Sequence, residues 1–251
     1  MSILGFGPWA AAKCPVVPKE QDWIERSLDF LVAQFGRRIL LGEVLTPTDR
    51  HFPGTYAGST HDIEMLVDRL CTHMEVDRSS IELEHESDGT DPRLAGAVPL
   101  HTAWSGAAGH YRLHNGRAVI AIRSELAERP MALIATVAHE LGHARLLGEG
   151  RADPDAPDHE PLTDLLTVVF GLGIFSANAA FDTHRRVRGE FTYTSTSRLG
   201  YLTEPMYGYA LARYAWLRNE PSPDWARHLD TNPRAALKQG LRYLRSAGPR
   251  R

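Results

Sequence analysis

The run His139-Glu140-Leu141-Gly142-His143 holds the residue types in this chain best suited to chemistry. On an α-helix, side chains four apart stand on the same face, so the two imidazoles could share a single Zn²⁺. Glu140 lies one position round the helix, near such an ion without ligating it. From there it could take a proton from zinc-bound water, whose pKa the metal lowers from 15.7 to about 7, and so generate a nucleophile at neutral pH. The plainer alternative is a pair of core histidines. Burying two imidazoles and a carboxylate on an apolar helix is costly unless each finds a partner, and one ion would meet several of those demands together.

A catalytic zinc normally takes three protein ligands and leaves one position for water. In the pattern H-E-x-x-H-x-x-G-x-x-H the third ligand falls at 149, but the required glycine is Leu146 here, which leaves Glu149 a bare possibility. Glu204, near a later helix start, is a second rival, although Gly208 rather than an acid stands four residues beyond it. The stronger candidates follow the acidic loop from Asp153: Glu160 and Asp164 are four apart at the start of an apolar segment with Pro161 in its first turn. That spacing lets Glu160 reach the metal while Asp164, one turn on, accepts the far N–H of a ligating histidine. The alternative is two carboxylates placed at a helix N-terminus by its macrodipole.

With H-E-L-G-H followed after 17 positions by E-P-L-T-D, the sequence resembles the gluzincin metallopeptidases. In that group a downstream helix supplies a Glu ligand and, four residues later, an Asp that supports a ligating His. The residue before the Glu is usually Asn; here it is His159. The resemblance implies an α/β (α+β) fold with a zincin-like core, in which a small mixed or antiparallel sheet packs on the H-E-x-x-H helix and further helices are added at both ends. It implies one Zn²⁺ per chain held by His139, His143 and Glu160, with Glu140 as general base, Asp164 behind a histidine, and a peptide or protein substrate. Candidate donors to the oxyanion of such a reaction are His184, Tyr193, Tyr201 and Tyr207.

The elements that must position these groups are partly legible. Leu133, Ile134, Val137, Leu141 and Ala144 recur at helical spacing, with Pro130 at the start and Gly148 and Gly150 at the end. Gly109–His114 and Arg117–Arg123 flank Asn115-Gly116, a hairpin signal that should feed directly into this helix. By analogy with zincins, the strand from Val119 to Arg123 or its neighbour could hold extended substrate at a sheet edge. Helices are expected over residues 20–41, 62–75, about 160–180, 204–218 and 233–245, with a strand at 81–85. Phe191–Ser197 reads as a strand or a loop, and 87–104 as irregular. Residues 1–20 read as an extended N-terminal segment, 21–180 as the catalytic core, 181–247 as a mostly helical part completing the site, and 248–251 as a tail.

Composition bounds the rest. The chain has 251 residues with 28 Lys and Arg against 31 Asp and Glu, giving a formal net charge of −3 and no global footprint for nucleic acid. No run reaches the 18 apolar residues of a membrane span, and the apolar N-terminus lacks the basic start of a signal peptide. Cys14 and Cys71, two lone cysteines, fit a reducing cytoplasmic setting, and Cys14 could otherwise hold a latent zinc site. Oligomeric state leaves no mark in the sequence. Two functions fit: a zinc-dependent hydrolase, most simply a metallopeptidase, and a metal-binding regulatory or partner-binding module without proteolysis.

Overall fold

The computed structural model describes residues 12–86, 111–114, 117–180, 182–188, 191–197 and 200–247. Helix α1 (Pro18–Phe35) begins with proline at N1 and stops where Gly36 turns to φ +80°. Its inner stripe of Ile24, Leu28 and Leu31 is fully buried. A single 3₁₀ stretch, Arg37–Leu41, completes the expected 20–41 segment. Helix α2 (Thr60–His73) starts with a reciprocal cap: Ser59 Oγ accepts from the Asp62 amide, and Asp62 accepts from the Ser59 amide.

Strands β1 (Ile81–Glu86), β2 (Tyr111–His114) and β3 (Arg117–Arg123) form one sheet in the order β1-β3-β2. β2 runs antiparallel to β3 with His114 opposite Arg117, the register of a two-residue turn, and Asn115-Gly116 themselves lie outside the described residues. β1 pairs parallel to β3, so the sheet is mixed. β3 is therefore the central strand. Ala118, Val119, Ile120, Ala121 and Ile122 are all buried, so both faces of β3 are covered. Of the two alternatives for a substrate-holding edge, the Val119–Arg123 strand is excluded, because both its neighbours already occupy its backbone; among the described residues the edges of this sheet are those neighbours, β1 and β2.

A short helix α3 (Ser124–Ala127) separates the hairpin from α4 (Pro130–His143), where a direct passage was expected. α4 is buried nearly all round, the mark of a central helix. Its main packing partners are α2, α5 and α6, which are helices rather than the sheet. A π turn, Ala144–Gly148, follows immediately after His143.

The helix expected to about residue 180 is two: α5 (His159–Val169) and α6 (Gly173–Ala179). Between them Gly171 adopts φ +76°, a left-handed conformation that ends an α-helix, and its carbonyl accepts from the Leu45 amide. β4 (Asp182–Arg188) and β5 (Phe191–Ser197) pair antiparallel in a separate ribbon, so the second of these is a strand rather than a loop. α7 (Glu204–Leu217) is capped by Thr203, and α8 (Thr231–Ala247) packs along it. Tyr207, Tyr209 and Tyr214 on α7 are fully buried as packing residues. The result is a mixed α+β fold in which helices α1, α4, α5, α6 and α7 form most of the core. The irregular reading of 87–104 lies outside the described residues, as do residues 1–11 and the tail. No helix among the described residues is long and apolar enough to cross a membrane.

Candidate metal centre

α4 and α5 cross closely because Gly142 allows it. A β-carbon at Gly142 would stand 2.8 Å from Thr163 Cγ2, so with any side chain there Thr163 or the helix crossing would have to shift. The start of α5 is fixed from the other side, where the Trp23 indole of α1 donates to Asp158 Oδ2 at 2.7 Å, one residue before α5 begins. These two contacts set Glu160, Thr163 and Asp164 against the histidines of α4.

Glu160 Oε2 lies 3.0 Å from His139 Nε2 and 3.3 Å from His143 Nε2. The three residues form the one group among the described residues with metal-ligand character, their donor atoms all within 4.8 Å of one another. The two imidazoles meet edge to face, with centroids 4.7 Å apart and planes at 87°.

The outer nitrogens are also placed. His139 Nδ1 donates to Asp164 Oδ1 at 2.8 Å, while Asp164 Oδ2 accepts from the backbone amides of Tyr201 and Leu202. Thr163 gives its hydroxyl proton to the His159 carbonyl at 2.8 Å, which leaves a lone pair facing His143 Nδ1 at 3.4 Å. With an ion in place of the protons that Nε2 of each ring shares with Glu160, these two acceptors would hold both rings with Nδ1–H outward. That tautomer is the one a metal requires.

Charge and burial act on these groups in opposite senses. Burial disfavours protonated His139, yet hydrogen bonds to Asp164 and then Glu160 outweigh it and push its pKa up to about 10. For His143, burial dominates and lowers the pKa; the bond to Glu160 offsets it only in part. Burial alone would raise Glu160, but hydrogen bonds from the two histidines hold its carboxyl well below the ordinary range.

Glu140 is buried, and its charge acts on both His139 and Tyr201, which places its carboxylate beside the cluster. Tyr201 stacks on the His139 ring with centroids 5.8 Å apart and planes at 19°, and its hydroxyl donates to Glu160. Burial, then the charges of Glu160 and Asp164, raise its pKa. Of the two oxyanion candidates whose side chains are described, Tyr201 is the one brought to the centre. Tyr207 is buried on α7, with its hydroxyl beneath Gly200. The side chains of His184 and Tyr193 lie outside the described residues.

The rival ligands are engaged elsewhere. Glu149 is paired with Arg145 at 2.8 Å and Arg151 at 2.5 Å, and Glu204 accepts from Asn232. Cys14 packs against the core and belongs to no metal-ligating group among the described residues. His159 has its ring centroid 6.0 Å from that of His143 and Nδ1 3.8 Å from the second oxygen of Glu160.

Gly142, Thr163, Gly200 and the two amides on Asp164 escaped the sequence reading. Gly142 carried a faint signal, a residue without a side chain inside a helix that is otherwise core. At Gly200, φ is +90° and a β-carbon would stand 3.0 Å from Asp164 Oδ2, so glycine is what lets the chain pass over that carboxylate.

No protein-family model, curated protein or solved structure matches the chain. The functional reading therefore rests on the geometry of these residues and their chemistry.

Proposed function

We propose that the chain is a zinc-dependent hydrolase of the gluzincin type, built on a zincin-like core, and that it cleaves peptide bonds. One observation carries this reading: a single oxygen of Glu160, from a second helix, lies against Nε2 of both motif histidines, and Asp164 stands behind one of them. Ligands at zinc distances of 2.0–2.1 Å in a tetrahedron sit about 3.3 Å apart. The spacings of 3.0 and 3.3 Å from Glu160 to the two imidazoles are near that value, and all three donor atoms lie within 4.8 Å of one another. Two nitrogens and one carboxylate oxygen are also the donor set of many hydrolytic zinc sites.

A bound zinc ion supplies a Lewis acid and a water molecule of lowered pKa. The rest of the work falls to the chain. Glu140, buried beside the centre, accepts the proton of the attacking water and later delivers it to the leaving amine. Asp164 keeps His139 in its ligating tautomer and disperses the charge that the imidazole acquires. Tyr201 turns its hydroxyl from Glu160 to the carbonyl oxygen of the substrate as negative charge develops there. A phenol is protonated, hence a donor, at neutral pH.

The test is turnover. Zinc-loaded protein incubated with a diverse peptide library should produce cuts that a chelator abolishes, and Glu140→Gln should retain the metal while losing those cuts. A fully zinc-loaded wild type that cuts nothing, or a Glu140→Gln protein as active as wild type, overturns the assignment.

A further inference from the structure

A second surface stands apart from the metal centre. The segment Pro221–Arg227 and one face of α8 enclose a groove of about 560 Å³. The buried Leu237 and Leu241 of α8 line it together with Pro221 and Pro223. Its rim carries Arg227, Arg234, Lys238, Arg242 and Arg245 against one acid, Asp224. Four of the five cations are exposed, and none of the five meets a carboxylate at ion-pair distance among the described residues. α8 itself contains no acidic residue.

We propose that this groove docks an acidic peptide segment of a partner protein, bound in extended form along α8. Three features point to that occupant. Arg234, Lys238 and Arg242 are four residues apart on a helix rising 1.5 Å per residue, so they recur about every 6 Å. Alternate side chains of an extended chain recur at about 6.6 Å, so carboxylates at every second position would meet successive cations. Pro221 and Pro223, from the other segment that lines the groove, offer apolar surface to the intervening side chains, which in an extended chain point away from α8.

A long polyanion fits less well. Taking the five cations and Asp224 from the chain's 28 basic and 31 acidic residues leaves 23 against 30, so the groove is a positive patch on an otherwise negative molecule. With a screening length of about 8 Å at physiological salt, a short acidic segment feels the patch alone, whereas nucleic acid would extend over the negative remainder. The groove lining also contains no aromatic ring on which a base could stack.

The proposal is independent of the metal centre and is tested by binding alone. The probe is a fluorescein-labelled twelve-residue peptide with Glu at alternate positions, compared by anisotropy with its Gln counterpart and with a single-stranded DNA of equal charge. The Glu peptide should bind, lose affinity as salt rises, and bind at least about tenfold more weakly to the double variant Lys238→Glu, Arg242→Glu. The Gln peptide and the DNA should both bind more weakly than the Glu peptide. Both substituted residues are exposed, and unchanged circular dichroism and melting temperature will show that the variant folds. Absence of binding, equal affinity for the double variant, or tighter binding of the DNA overturns the proposal.

Discussion

Asp164 bridges two parts of the chain: Oδ1 holds His139 Nδ1 at 2.8 Å, while Oδ2 accepts the backbone amides of residues 201 and 202. The carboxylate that orients a ligating imidazole is thus the same one that seats Tyr201 on that ring. Ligand geometry and the placement of the candidate oxyanion donor are coupled through a single buried side chain.

Asp164→Asn keeps the shape and removes the charge. The amide can present only one acceptor oxygen to three donors, so either the imidazole or the backbone amides lose their partner. Zinc affinity should fall by about 10- to 100-fold, read by competition with a chromophoric chelator. Affinity equal to wild type would remove Asp164 from its supporting role.

Gly142→Ala introduces a β-carbon 2.8 Å from Thr163 Cγ2. Overpacking of this kind costs about 1–3 kcal/mol, and thermal or urea denaturation should show it together with weaker metal binding. The double variant Gly142→Ala, Thr163→Ser deletes the opposing methyl while keeping the hydroxyl near His143, and should recover much of the loss. No recovery would mean that the helix crossing is not limited by this contact.

How far the sequence foretold this arrangement depended on which contacts were local. His139, Glu140 and His143 declare themselves because one helical turn relates them, and Glu160 and Asp164 because another does. The meeting of the two turns is a tertiary fact, legible only through resemblance. Gly142 and Gly200 act by what they lack, so neither spacing nor hydropathy marks them. The break at Gly171 was hidden in a run whose apolar pattern continues across it, because both α5 and α6 face the same core. The parallel pairing of β1 with β3 joins strands far apart in the chain, and nothing local in Ile81–Glu86 encodes that partner.

Tyr201→Phe retains the ring stacked on His139 and loses the hydroxyl. The variant should bind zinc as wild type does, leave KM little changed, and lower kcat by about 10²-fold, the usual effect of removing one oxyanion donor. Steady-state kinetics on any peptide found to be cleaved will check this. An unchanged kcat would assign the oxyanion to another donor.

The two cysteines should differ sharply. Burial pushes the Cys71 thiol up to about 11, so at pH 8 almost none is thiolate, and its side chain is shielded as well. Cys14 is partly exposed. Ellman's reagent should therefore titrate one thiol in the native protein at pH 8 and two in guanidinium. Two fast-reacting thiols in the native state would show that the packing around Cys71 opens readily.

The central claim is that α5 supplies the third ligand. Metal content of purified protein after dialysis, measured by mass spectrometry for wild type, His139→Ala and Glu160→Ala, addresses it most directly. Wild type should hold about one zinc per chain, and both variants should lose most of it. Full zinc content in Glu160→Ala, or none in wild type after incubation with the ion, would contradict it.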